Sequence, residues 1–262
     1  MKEINKMAKK QEGKQRKVFF CVQGKGGVGK TTIAVRLSEA LIRKYGKEEV
    51  ALLDTDPVND TFHQHLGLDV AFLDLIGDNE FKIDSLKFDE LIELIVNSSA
   101  EATFVDTGAS NFLALLHYAY EIDMFELLEE AGLEVYFIIP VAGGANFTDC
   151  IEGLGAVCGI AQNSKSSKIV AVVNEFFGKA ADEHGRNLKN IMLLDEALST
   201  LPINIVEIPI RSMDTYGKQL EELGKKHLTI GEALLMDGSL PVKKRLQIVS
   251  SDYDEMLGLI LQ

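Results

Sequence analysis

No run of apolar residues in this sequence reaches the roughly 18 that a membrane-spanning helix needs, so no span is expected. The N-terminus is polar and lacks the apolar core of a secretory signal. Cysteine is scarce. Cys21, Cys150 and Cys158 are odd in number and form no CxxC pair, which argues against a disulfide framework or a cluster site and for reduced thiols in a cytoplasmic protein. Positive charge is also short. The net charge is −13, and the first 17 residues hold seven Lys/Arg against Glu3 and Glu12, a balance of +5 that leaves −18 for the remainder. So acidic a body is a poor surface for phosphate backbones. Residues 1–16 read either as a disordered, solubilising basic arm or as a weak contact for nucleic acid or acidic lipid.

What the chain does have is enough length, 262 residues at 46% hydrophobic, for one large α/β domain over 17–262. Strand-like runs at 17–23, 49–54, 102–106, 133–141, 168–174 and 203–210 alternate with helical periodicity. The helical stretches are 32–45, 88–96, 112–130, 147–161, 188–198, 213–225 and 241–261. That alternation predicts a mainly parallel sheet flanked by helices on both faces. Residues 69–87 are unclear, with a turn at Gly77-Asp78-Asn79. The last helix has an apolar stripe, Leu246, Val249, Tyr253, Met256, Leu257 and Ile260, behind Lys243, Lys244 and Arg245. Packing on the domain is expected; a membrane-surface role is opposed by Asp252, Asp254 and Glu255.

Between the first strand and the first helix stands Gly24-Lys25-Gly26-Gly27-Val28-Gly29-Lys30-Thr31, a full match to the phosphate-loop pattern GxxxxGK[ST]. Glycines let backbone N–H groups curl around phosphate oxygens, and the helix N-terminus adds its positive end. Lys30 would neutralise the β and γ phosphates, Thr31 would ligate Mg²⁺, and Thr32 would complete the cradle. Two further strands end in carboxylates, at Asp54 with Asp56 and at Asp106. Ligands bind beyond the carboxyl ends of parallel strands, so these acids are expected beside the loop. Asp106 is placed to hold Mg²⁺ through its water, with Asp54 as a further candidate ligand. No [NT]KxD sequence follows strand 168–174 to pair guanine, and the KxD at 82–84 lies elsewhere in the order, so the expected nucleotide is ATP.

A second loop lysine, Lys25, would repel Lys30 unless further negative charge were near. The arrangement from Lys25 to Thr31 resembles the deviant Walker A motif of the ParA/MinD family of ATPases, in the SIMIBI class of P-loop NTPases. Asp54-Thr-Asp56-Pro57 is similar to that family's switch I segment and Asp106-Thr-Gly-Ala-Ser to its Walker B and switch II. These two segments, with Val173-Asn-Glu-Phe-Phe-Gly178, look most like the plasmid StbB and conjugal-transfer TraL branch. The resemblance implies a homodimer on ATP binding, with Lys25 reaching the partner's nucleotide and Asp56 orienting the attacking water. It also implies that Asn174 reads adenine and that Pro209, in Ile208-Pro209-Ile210, closes over the base. Val58 and Gly108 depart from the chromosome-partition pattern.

The implied function is a slow, Mg-dependent switch ATPase that positions plasmid DNA or a transfer complex, in partition, plasmid stability or conjugation. A separate DNA-binding adaptor is the expected partner, since no DNA-reading motif is evident; non-specific DNA binding by the dimer stays open. The alternatives are a small-molecule ligase or kinase on the same fold, a membrane-associated division-site regulator, and an iron–sulfur carrier, which the cysteines oppose. His63-Gln-His65 share no helix face and are not read as a metal site.

Overall fold

The protein's computed structural model describes residues 15–59, 61–76, 83–162, 164, 167–199 and 201–262. The basic arm up to residue 14, the Gly77-Asp78-Asn79 turn and Lys82 of the KxD sequence lie outside these residues. All six expected strands form: β1 (Arg16–Cys21), β2 (Val50–Asp54), β4 (Ala102–Asp106), β5 (Leu133–Ala142), β6 (Lys168–Asn174) and β7 (Ile203–Glu207). A short exposed strand, β3 (Ala71–Phe72), joins them from the unclear stretch. The order is β3-β2-β4-β1-β5-β6-β7, and every pairing is parallel. β1 begins at Arg16, inside the stretch read as the basic arm.

Side chains on a strand alternate between faces, and here both faces are buried. Val18 and Phe20 enter one core, with α2 (Leu86–Asn97), α3 (Phe112–Glu121), α4 (Met124–Glu130) and α5 (Phe147–Ala161) packed over it. Phe19 and Cys21 enter the other, beneath α1 (Lys30–Tyr45) and α10 (Leu240–Ile260). The α10 stripe Leu246, Val249, Tyr253, Met256, Leu257 and Ile260 is buried in that core. The packing reading of the last helix therefore holds, with its start one residue earlier than expected. Among the described residues no helix is long and apolar enough to cross a membrane.

Three expected helices differ in detail. The run 112–130 breaks into α3 and α4 at Asp123, whose φ of 49° ends one helix and opens the next. The run 188–198 becomes α6 (Leu188–Met192) and α7 (Glu196–Ser199). The run 213–225 opens with a π-helical turn, Met213–Gly217, before α8 (Lys218–Lys225). One helix was not expected: α9 (Ile230–Leu235), held by a Thr229/Glu232 capping box.

Candidate functional site

Register decides which loops meet. Cys21 pairs with Asp106 and Asp54 pairs with Asp106, so the glycine loop after β1 and the acidic ends of β2 and β4 lie side by side. Gly27 (φ 73°) and Gly29 (φ 94°) take left-handed backbone that a side chain would oppose, and Gly29 caps α1. Gly24 lies against the Phe112 ring, where an added Cβ would come within 2.8 Å. Gly26, Gly27 and Thr32 are exposed along the loop, and Val28 is buried beneath it. Lys30 is 8% exposed and its ammonium donates to the Lys25 carbonyl at 3.1 Å.

Thr31 donates its hydroxyl proton to Asp106 Oδ2 at 2.8 Å. The other oxygen, Asp106 Oδ1, is buried and has no hydrogen-bond partner among the described residues. Burial, and next the charge of Asp54, push the Asp106 carboxyl up to about 8, against the pull of Thr31 and Lys30. A buried carboxylate with an open oxygen beside a threonine hydroxyl suits a hard cation or its water. The residues therefore fit Mg²⁺.

The structure gives Asp54 a different engagement. Its Oδ1 accepts from Asp56 N at 3.0 Å and its Oδ2 from His63 N at 2.9 Å, so both oxygens hold the loop that follows β2. Asp56 Oδ1 accepts from Val58 N at 3.0 Å and Asn59 N at 3.1 Å. Its carboxylate rests against Gly108, where an added Cβ would lie 2.6 Å from Oδ1. Gly108, which sequence reading marked only as a departure, is thus the space that Asp56 occupies.

Lys25 lies at the rim, its Nζ 2.6 Å from Asp149 Oδ2 at the start of α5. That hydrogen bond and charge raise the Lys25 pKa. Asn174 is buried and turned to the glycine loop, donating Nδ2 to Val28 O at 3.4 Å and accepting from Phe176 N at 3.1 Å. Pro209 instead lines a hollow of about 470 Å³ with Val173, Glu175 and Glu207, beyond the ends of β6 and β7.

Sequence reading missed three anchors. Gln23 Nε2 donates to Pro140 O at 3.0 Å and Cys150 O at 3.1 Å, fixing the loop's base to β5 and α5. Asn111 Nδ2 donates to Thr55 O at 2.8 Å, joining the loop after β4 to the loop after β2. Thr107 donates to Cys21 O at 2.9 Å. All three are buried polar side chains, and each takes these partners from inside the fold. Cys21, Cys150 and Cys158 are buried with free thiols, each pushed up by burial.

A model of the CobQ/CobB/MinD/ParA nucleotide-binding domain matches residues 19–235. The chain belongs to that family. Two proteins named TraL from Escherichia coli are 32% and 30% identical to it, covering 92% and 90% of this chain and 97% and 94% of their own lengths. The MinD cell division protein of Aquifex aeolicus aligns over 92% of this chain and 97% of its own with a TM-score of 0.50, at 16% identity. That likeness speaks to the fold alone, the flanked parallel sheet of SIMIBI-class P-loop NTPases. Membership of the ParA/MinD family supports ATP binding with Mg²⁺ and ATPase chemistry in general, in proteins linked to partition, division or conjugation.

Proposed function

We propose that this chain is an ATP-driven dimerising switch. Two copies close face to face over Mg-ATP, the closed dimer engages a partner, and slow hydrolysis releases it. The observation that carries this reading is the unequal setting of the two loop lysines. Lys30 is buried at the base of the loop, whereas Lys25 lies at the rim in an exposed pair with Asp149. Exposed pairs are weak, so a phosphate on a second copy draws Lys25 away readily. Lys30 then serves the nucleotide of its own chain and Lys25 that of the partner. Thr31 and Asp106 would hold Mg²⁺, which would supply charge neutralisation, and Asp56 orients the water.

Asn174 and Pro209 stand as the adenine contacts in this reading, and Asp54 as the anchor of the Asp56 loop. The cargo is plasmid DNA or a transfer complex in the cytoplasm, reached through a DNA-binding adaptor. The two TraL relatives, matched along nearly their whole length, support the conjugation side of that pair.

Light scattering with Mg-ADP and Mg-ATP tests the switch. Wild type is expected to double in mass with ATP alone, Asp56→Ala to stay doubled, and Lys25→Ala to remain single. Asp149→Asn, which releases Lys25, is expected to dimerise at lower ATP. Mass that ignores nucleotide in all four proteins would overturn the switch and favour a small-molecule kinase or ligase.

A further inference from the structure

Between Lys87 and Lys165 the sequence holds no lysine or arginine but thirteen Asp and Glu, so the whole net charge of −13 sits in this stretch. Besides β4 and β5, it builds the helical layer over one face of the sheet, α2 to α5, which holds most of these acids. Asp89, Glu90, Glu93, Glu121, Glu126 and Glu130 are exposed there. Lys87 answers Glu90 at 3.3 Å at the start of α2, and His117 lies 3.7 Å from Glu121. Among these acids stand three exposed apolar side chains: Leu94 on α2, and Leu113 and Tyr120 seven residues apart on one side of α3. Leu113 is 74% exposed and Tyr120 69%, so among the described residues this helix face is unpartnered.

The complement lies in the same chain. Residues 1–14, MKEINKMAKKQEGK, carry five lysines against two glutamates, with Met1, Ile4 and Met7 at a spacing of three. The place where they join the body is fixed by Arg16. Its Nη1 donates to Val96 O at 3.0 Å and Ser98 O at 2.6 Å, and its Nη2 to Ala131 O at 3.2 Å. Arg16 therefore sits between the C-terminal ends of α2 and α4, at the foot of the acidic layer, where helix dipoles also favour cations. Fourteen residues reach at most about 50 Å, and α2 is about 18 Å long.

We propose that residues 1–14 dock along the outer face of α2, α3 and α4 of their own chain. The lysines lie among the carboxylates, and Met1, Ile4 and Met7 cover Leu94, Leu113 and Tyr120. Attachment beside the face gives the arm a local concentration in the millimolar range, which favours its own chain over a second copy.

Zero-length carbodiimide cross-linking of the full chain, as an equal mixture of ¹⁴N and ¹⁵N protein, tests this by mass spectrometry. The Lys168–Glu134 pair, at 2.7 Å, is the internal control. Links from Lys2, Lys6, Lys9, Lys10 or Lys14 to Glu90, Glu93, Glu126 or Glu130 are expected within one isotope, falling several-fold in high salt. Mixed-isotope links would overturn the proposal and make the face an interface between copies. A formed control link with arm lysines linked elsewhere, or nowhere, would overturn it too.

Discussion

Asp106 has one oxygen held by Thr31 and the other buried without a partner among the described residues, and this imbalance has a measurable sign. Its carboxyl is raised from 3.8 to about 8, so the folded chain keeps a proton that the unfolded chain releases. Stability attributable to this group falls as pH rises between those two values, with a slope of at most about 1.4 kcal/mol per unit. Urea unfolding of wild type and Asp106→Asn across that range is expected to show wild type losing stability relative to the variant, with the gap between them opening toward pH 8. Parallel stability curves would contradict the raised carboxyl. Gly108 offers a second test. Alanine there places a methyl group against the Asp56 carboxylate, so Gly108→Ala is expected to retain ATP binding but slow phosphate release by about tenfold or more. Unchanged turnover of Asp56→Ala would remove Asp56 from the hydrolytic step.

At the scale of elements, Arg16 ties β1 to the carbonyl ends of two helices through three hydrogen bonds. Arg16→Leu is expected to cost about 2–3 kcal/mol, seen as a lower urea midpoint at unchanged slope. Arg16→Lys should recover only part, because an ammonium lacks the planar fork. A residue that reads as part of a charged arm is thus a structural anchor, and its partners lie 80 or more positions away. The same reason separates what was legible in the sequence from what was not. The six longer strands, the glycine loop and the acids at 54 and 106 follow from local pattern and strand-end logic. Gln23, Asn111 and Asp149 act through contacts that only the sheet register creates, and no local spacing records them. The break at Asp123 leaves the apolar period intact on both sides, so periodicity alone runs α3 into α4. Helix α9 was legible in principle: Thr229-Ile-Gly-Glu232 is a capping-box sequence ahead of an apolar run.

Over the whole molecule, charge is divided by sheet face more sharply than composition suggests. Outside the stretch between Lys87 and Lys165 acids and bases balance, so self-repulsion is concentrated in one helical layer. Within it Asp89 and Glu93, and Glu126 and Glu130, are like charges four apart on a helix, each pair opposing its helix by about 0.2–0.5 kcal/mol. Salt screens such exposed repulsion over a length of about 10 Å at 0.1 M. Thermal stability is therefore expected to rise by a few degrees between low salt and 0.5 M, since about 1 kcal/mol corresponds to ~2–4 °C in a chain of this size. Removing residues 1–14 should steepen that rise, because the arm's lysines no longer offset the acids at low salt. A midpoint that falls with added salt would mean that attractive pairs, such as Arg211 with Asp252 and Arg43 with Asp254, outweigh the acidic layer. In that case the face would have no electrostatic demand for a basic partner.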